Sequence, residues 1–196
     1  VSTDWISVCT QYVHKSCYQR FRKRGTNTMR LAFYSGPRAG YSKELYGKVE
    51  EGIRYATELG MYVILDWHIL NDGNPKIHQK EALAFFKYFS KKYGNRKNIL
   101  YEICNEPNGN VTWEKQIRPY ANKVIKQIRK YDKKNIIIVG TPTWSQDVDV
   151  VAKKPLKQKN IVYTIHFYAA THTDFIREKV KTAYKTGLPM LVTEFN

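Results

Sequence analysis

Two glutamates follow short apolar runs, in positions where a carboxylate could do acid–base chemistry. Glu106 lies in the segment Tyr101–Gly109, where an apolar run reaches a carboxylate and is stopped by Pro107. Proline cannot donate to a sheet ladder, and the residue before it adopts extended geometry, so Glu106 is predicted at the last rung of a strand. The alternative is a strand that ends in a turn with a solvated glutamate. Glu194 ends the last apolar run of the chain in a similar way.

Hydrolysis of a glycosidic bond requires at least two carboxyl groups at one site. One carboxylic acid protonates the leaving oxygen, and a second carboxylate attacks the sugar or activates water. The two groups need different environments. Arg30 could keep one of them ionised, while apolar walls and the charge of its partner keep the other protonated. An aromatic ring such as that of Trp144 offers a flat platform on which a sugar face can stack.

The elements that must position these side chains alternate between short apolar runs and longer amphipathic segments. The runs rich in β-branched and aromatic residues predict strands at Met29–Tyr34, Met61–Trp67, Ile99–Ile103, Ile136–Gly140, Ile161–Phe167 and Pro189–Glu194, with a weak candidate near Val1. Amphipathic periodicity predicts helices at Val13–Arg24, Ser42–Leu59, His78–Tyr93, Trp113–Tyr131 and Thr173–Thr186, with a shorter one after Trp144. This alternation implies parallel strands with crossover helices.

The predicted fold class is therefore α/β, of the (β/α)8 TIM-barrel type. A complete barrel of this type takes about 250 residues, whereas about seven strands are counted here, so the eighth βα unit is predicted to be missing. At 196 residues, we expect a single domain over residues 1–196. A doubly wound open sheet is the structural alternative, but no glycine-rich phosphate loop follows an early strand.

In a parallel barrel the carboxyl ends of all strands open on one face, which is the face that carries catalysis. Besides the two glutamates, that rim is predicted to carry Arg30, Tyr34, Asp66, His68, Asn105, Trp144, His166 and Tyr168. Glu102 is interpreted as a structural partner for Arg30 or another base, and Asp66 as a buried hydrogen-bonding support. Trp67 points to the opposite face of its strand and is expected to pack under a helix.

The formal net charge of +16 would suit nucleic acid or another polyanion as partner. Lysines and arginines recur on the outward faces of the predicted helices without an aromatic-interleaved basic stripe, so a solvated basic surface is favoured and no nucleic-acid partner is predicted. No run approaches the roughly 20 apolar residues of a membrane span, and no membrane partner is predicted. Cys9 and Cys17 could close a short loop, while Cys104 is expected to be a small buried hydrophobe.

Five segments, taken in their order along the chain, resemble the motifs of glycoside hydrolase family 5 cellulases. These segments are Ile64–Leu70, Tyr101–Gly109, Thr141–Asp147, His166–Tyr168 and Thr193–Phe195. The resemblance implies a retaining endo-β-1,4-glucanase that cleaves internal bonds of cellulose or a related β-glucan, with no metal or organic cofactor in the chemistry. A polymeric substrate in turn implies an extracellular, secreted protein.

By this resemblance, Glu106 would be the acid/base and Glu194 the nucleophile that forms the glycosyl-enzyme. Asn105 would hydrogen-bond the sugar 2-hydroxyl, and Arg30 with Tyr168 would keep Glu194 charged and aimed. Retention further predicts carboxyl groups about 5–5.5 Å apart, against about 6.5–9.5 Å for inversion.

The resemblance also implies that His166 supports Glu106 and that His68 with Tyr34 lines the subsite where the bond breaks. A metal site at the two histidines is an alternative, but their spacing matches no compact ligand motif. The first strand of the family aligns only loosely with Asp4–Val8, so a subsite histidine and a platform tryptophan are expected to be lost there.

The missing eighth unit and the altered first strand motivate a second hypothesis from a different class. In it, the chain is a catalytically impaired carbohydrate-binding remnant of such an enzyme. A further expectation concerns the open barrel edge, which self-association could seal because an exposed strand edge offers unpaired hydrogen-bonding groups.

Overall fold

The computed structural model describes residues 1–7 and 9–196, along which strands and helices alternate. The strands β1 to β7 span Ser2–Trp5, Thr28–Tyr34, Tyr62–His68, Ile99–Glu102, Ile137–Val139, Ile161–Phe167 and Met190–Phe195. The α-helices span Lys15–Lys23, Tyr46–Glu58, Gln79–Tyr93, Arg118–Ile128, Val148–Ala152 and Asp174–Lys185. Each strand lies within a few residues of its predicted position, including the weak candidate near Val1.

The seven strands form one sheet in sequence order, from β1 to β7, and every neighbouring pair is parallel. This order confirms the TIM-barrel type of fold, and it excludes the doubly wound alternative, in which the strand order would reverse at a switch point. Within the described residues β1 and β7 each pair on one side only, so both are edge strands.

The main hydrophobic core fills the space between the sheet and its surrounding helices. Phe33 on β2 and Trp67 on β3 are fully buried and stack with their ring centroids 6.2 Å apart. Phe85, from the helix Gln79–Tyr93, lies 5.0 Å from the Phe33 ring and 5.3 Å from the Trp67 ring. Trp67 therefore packs under a helix, as predicted, and this face of the sheet is unavailable to substrate.

The predicted helix at Trp113–Tyr131 begins as a wider π-helical turn, Trp113–Ile117, before the α-helix Arg118–Ile128. Pro119, just after this turn, has no N–H to donate to the carbonyl of Lys115 four residues earlier. That carbonyl instead accepts a hydrogen bond from Lys76 Nζ at 2.6 Å. A break in one helix thus ties it to the loop that follows β3.

The remaining sequence expectations concern cysteines and surface charge. All three cysteines are free thiols, so the loop between Cys9 and Cys17 is not closed by a disulfide, and Cys104 is buried as predicted. Lysines of the outer helices, such as Lys87 and Lys126, are exposed. Among the described residues, no helix combines the length and the apolar character that crossing a membrane requires.

Two glycines in the helix Tyr46–Glu58 provide a matched test of the packing between this helix and the sheet. A Cβ on Gly52 would lie 2.8 Å from the Tyr18 hydroxyl and 3.0 Å from Leu31 Cδ1, whereas one on Gly47 would meet nothing within 4 Å. We expect Gly52→Ala to lower the free energy of unfolding by about 1–3 kcal/mol through overpacking. Gly47→Ala should raise it by up to about 1 kcal/mol through helix propensity.

Urea denaturation of both variants measures these changes. Equal shifts in the same direction would show that the helix does not contact the sheet as closely as described.

Candidate active site

A fully buried arginine on β2 organises the carboxyl end of the sheet. Arg30 donates from Nε to Glu102 Oε2 at 2.7 Å, from Nη2 to Asn105 Oδ1 at 2.7 Å and from Nη1 to Glu194 Oε2 at 3.1 Å. Its Nη2 also lies 3.0 Å from Asp66 Oδ2. Burial alone would lower the pKa of Arg30, but these carboxylates outweigh burial and raise it. One permanent positive charge therefore joins side chains from β3, β4 and β7.

Glu106 is not at the last rung of β4, which ends four residues earlier at Glu102. Beyond the strand, the Ile103 amide donates to Ile138 O on the β5 side, and the Asn105 amide donates to Trp67 O on the β3 side. The backbone therefore crosses from one neighbour to the other and leaves the ladder. This correction matters because the irregular segment lifts Glu106 above the sheet, where its side chain is 8% exposed.

Glu106 lies against His166, the penultimate residue of β6. His166 donates from Nδ1 to Glu106 Oε1 at 2.9 Å and from Nε2 to Thr193 Oγ1 at 2.9 Å. Thr193 in turn donates to Glu102 Oε1 at 2.8 Å. Burial alone would lower the pKa of His166, but hydrogen bonding to the neighbouring glutamates outweighs burial and raises it to about 9. At neutral pH His166 is an imidazolium that donates from both nitrogens.

Glu194 occupies the opposite side of the site. Burial alone would raise the pKa of Glu194, but the Tyr168 hydroxyl, which donates to Oε1 at 2.6 Å, and the charge of Arg30 lower it. Glu194 is therefore ionised at neutral pH. The ladder between β6 and β7 shifts register here, since Ile165 pairs with Val192 and His166 with Glu194. A bulge of this kind re-aims side chains, and it lets the adjacent Thr193 and Glu194 both contact the buried network.

A second histidine is neutral. His68 donates from Nδ1 to Asp66 Oδ2 at 2.6 Å, and its Nε2 accepts from Asn105 Nδ2 at 3.3 Å. Burial and the charge of Arg30 lower the pKa of His68 to about 3. Because Arg30 can only donate, Asn105 must present its oxygen to the guanidinium and its nitrogen to His68. The amide of Asn105 is thereby fixed in one orientation.

An aromatic wall lies beside this histidine. The Tyr34 ring centroid is 4.8 Å from that of His68, and the Trp5 ring approaches His68 edge-on at 5.1 Å. The first strand thus brings Trp5 to the rim. The expected loss of the family's platform tryptophan stays a prediction, because Val8, the last residue of the aligned segment, lies outside the described residues. The sequence signal for Trp5 was the alternation of side-chain directions along β1. Asp4 is buried against Tyr18 on one face of the strand, so the neighbouring Trp5 points to the other face.

Trp144 follows β5 and is 46% exposed. Its backbone amide donates to Pro107 O at 2.9 Å, so it lies beside the irregular segment that carries Glu106. The structure thus brings the predicted rim residues together at the carboxyl end of the sheet, except that Arg30 lies deeper in β2 and reaches them with its buried guanidinium. It adds Trp5, Thr193 and the buried Ser145, whose hydroxyl donates to Asn105 O at 2.6 Å. Small hydroxyl residues such as Thr193 and Ser145 carry no sequence signal of their own.

Glu106, His166 and Glu194 each place one potential ligand atom within 4.8 Å of the others, a spacing that raises the question of a metal. A histidine ligand must be neutral. Both ring nitrogens of His166 already have hydrogen-bond partners, Glu106 and Thr193, and neither presents a free lone pair to the cluster. We therefore interpret this cluster as a hydrogen-bonded pair, Glu106 and His166, that faces the carboxylate of Glu194, and we assign no metal ligands.

The charged state of His166 predicts a pH dependence of stability. Its pKa rises from 6.5 to about 9 on folding, so its stabilising contribution is fully present below pH 6.5 and is lost as the pH rises through about 9. Between pH 6.5 and about pH 10, we expect the wild-type free energy of unfolding to fall by about 1–3 kcal/mol more than that of His166→Gln, which cannot titrate. Urea denaturation across this range measures the difference, and parallel pH profiles would contradict it.

Comparison with known proteins places the site in a family. The sequence profile of the Cellulase family, glycosyl hydrolase family 5, matches residues 1–196. An endoglucanase of Clostridium saccharobutylicum is 48% identical over 179 residues, which cover 88% of this chain and 39% of that protein. Endoglucanase N of Pectobacterium atrosepticum is 42% identical over the whole chain and 44% of its own length. The chain thus spans less than half of these relatives.

Solved structures give the same result for the fold. The cellulase Cel5C_n superposes with a TM-score of 0.94 at 39% identity, over 100% of this chain and 64% of that one. The catalytic domain of Thermobifida fusca endoglucanase Cel5A superposes with a TM-score of 0.90 at 34% identity, over 100% of this chain and 67% of that one. On its profile match, its relatives and its barrel, this chain belongs to the cellulase family, glycosyl hydrolase family 5.

Proposed function

We propose that this chain is an endoglucanase that cleaves internal β-1,4 bonds of cellulose or a related β-glucan by double displacement. The observation that carries the proposal is the pair Glu106 and Glu194, whose carboxyl oxygens lie within 4.8 Å of one another. This spacing suits the retaining geometry better than the inverting one. Glu106 contacts His166, whereas Arg30 and Tyr168 hold Glu194. The relatives named as endoglucanases, and a cellotetraose complex of a Thermobifida fusca Cel5A variant, support a β-glucan substrate.

In the first step, Glu194 attacks the anomeric carbon while the bond to the leaving oxygen breaks. Tyr168 and Arg30 keep the attacking carboxylate ionised and aimed, because each donates to one of its oxygens. Glu106 gives its proton to the leaving oxygen from Oε2, since Oε1 accepts from His166. The leaving sugar departs as a neutral alcohol, and a covalent glycosyl-enzyme remains on Glu194.

In the second step, water attacks the same carbon and displaces Glu194. Glu106, now ionised, accepts the proton of this water, so the acid of the first step is the base of the second. His166 stabilises the ionised form, because its imidazolium lies 2.9 Å from Oε1. Two inversions at one carbon give net retention of configuration.

Neighbouring side chains are proposed to bind the sugar. Asn105, whose amide orientation is fixed by Arg30, is placed to hydrogen-bond the 2-hydroxyl. His68 and Tyr34 line the subsite where the bond breaks, and Trp144 stacks on a sugar face with its exposed ring.

Two further expectations complete the proposal. A polymeric substrate requires that the enzyme act outside the cell, so we propose that the protein is secreted. We also propose that the unpaired edges of β1 and β7 associate with a second copy of the chain. Neither expectation affects the chemistry at Glu106 and Glu194.

Replacing either carboxylate by its amide tests the assignment. Glu106→Gln and Glu194→Gln should each lower the release of reducing ends from a soluble cellulose derivative by at least about 10³-fold, because one loses the acid and the other the nucleophile. Glu178→Gln, at a surface glutamate 65% exposed, is the matched control and should keep the wild-type rate. Near-wild-type rates in either active-site variant would show that the assignment is wrong. A wild-type chain that binds cello-oligosaccharides without cleaving them would instead establish the carbohydrate-binding alternative.

The stereochemistry of the product tests the double displacement separately. Double displacement predicts that newly formed reducing ends appear first as the β-anomer, which then equilibrates slowly with the α-anomer. Proton NMR during the first minutes of cello-oligosaccharide hydrolysis measures the ratio. Initial α-anomer would replace the retaining mechanism by an inverting one while leaving the glycosidase activity intact.

A further inference from the structure

A strained turn follows β5, next to the segment that carries Glu106. Three consecutive residues that are not glycine, Thr143, Trp144 and Ser145, adopt left-handed backbone conformations with φ of 56°, 53° and 58°. Residues with a Cβ rarely adopt this backbone conformation, and several in succession adopt it only where the surrounding contacts impose it. Such strain persists where neighbouring contacts over-determine the backbone, and it concentrates at functional sites.

The contacts that impose this conformation go to both sides of Glu106. The Ser145 hydroxyl donates to Asn105 O at 2.6 Å, and the Trp144 amide donates to Pro107 O at 2.9 Å. Ser145 is fully buried, so no water replaces its bond to Asn105. The turn therefore binds the residue before Glu106 and the residue after it, and leaves the carboxylate itself untouched.

Gly140, the residue after β5, lies in close contact with the same segment. A Cβ on Gly140 would lie 2.1 Å from Cys104 O and 2.9 Å from Pro107 Cδ. There is no room for a side chain, and the segment cannot move towards β5. Because Glu106 lies four residues beyond its own strand, these contacts take the place of the sheet ladder in fixing its backbone.

We propose that Ser145 is a positioning residue that fixes the carboxyl of Glu106 relative to the leaving oxygen. This inference rests on the proposed function, whose first step needs Glu106 as an acid. A small displacement of a catalytic group has a large effect, since a misplacement of about 1 Å can lower a rate by about 10²-fold. The same turn carries Trp144, so the proposed sugar platform and the acid of the first step share one support.

A series of aryl β-cellobiosides tests this role. A 2,4-dinitrophenolate departs without protonation, whereas an unsubstituted phenolate needs the acid. For Ser145→Ala we expect kcat/KM to be within about twofold of wild type on the dinitrophenyl substrate, and to fall about 10–100-fold on the phenyl substrate. A purely structural defect lowers both values by the same factor, because it lowers the fraction of folded enzyme.

Two other variants complete the design. Ser145→Gly also removes the hydroxyl but adopts a left-handed conformation without strain, so it tests the same contact if the alanine variant does not fold. Ser90→Ala is the matched control, because its hydroxyl is buried in the helix Gln79–Tyr93 and has no hydrogen-bond partner among the described residues. It should behave as wild type on both substrates.

The outcomes separate the inference from the function on which it rests. If wild type cleaves both substrates and the Ser145 variants lose the same factor on each, or lose nothing on the phenyl substrate, the positioning role is wrong and the proposed function stands. If wild type cleaves neither substrate nor a soluble cellulose derivative, the proposed function is wrong and the inference falls with it. A loss confined to the phenyl substrate supports both.

Discussion

The structure depends on one buried positive charge. Arg30 has no exposed surface, and it meets three carboxyl groups from β3, β4 and β7 and an amide oxygen from the segment after β4. Removing one partner of a buried ion pair costs about 3–5 kcal/mol, because the remaining charges lose their compensation. The arginine therefore does two things at once: it keeps the carboxyl ends of the strands together, and it keeps Glu194 ionised. Stability and chemistry use the same hydrogen bonds.

A continuous hydrogen-bonded path connects the two sides of the site. It runs from Glu106 through His166 and Thr193 to Glu102, which Arg30 binds in turn. Burial alone would raise the pKa of Glu102, but Arg30 and His166 lower it to about 2. His166 thus contacts Glu106 at one end of this path, and Arg30 contacts Glu194 at the other. The bulge in β7 makes the path possible by letting consecutive residues reach it.

Backbone irregularities, rather than regular strands, place the reactive groups. Glu106 lies beyond β4 on a segment whose amides bond alternately to β5 and β3, and a left-handed turn binds the carbonyls on either side of it. A regular strand would direct alternate side chains to opposite faces and keep them near the sheet. Because this segment leaves the sheet, the carboxyl group of Glu106 lies at the mouth of the barrel. Hydrogen bonds from the turn after β5 replace the sheet hydrogen bonds that the segment gives up.

The sequence by itself determined the order of strands and helices, the parallel sheet and the set of polar residues at its carboxyl end, because these follow from local hydrophobic period and from the alternation of side chains. It also indicated Glu102 as the partner of Arg30. Only the tertiary structure decided that Glu106 lies beyond its strand and that His166 is charged while His68 is neutral. These properties depend on burial and on contacts between residues far apart in the chain, such as Thr193 with Glu102, and no local pattern encodes them.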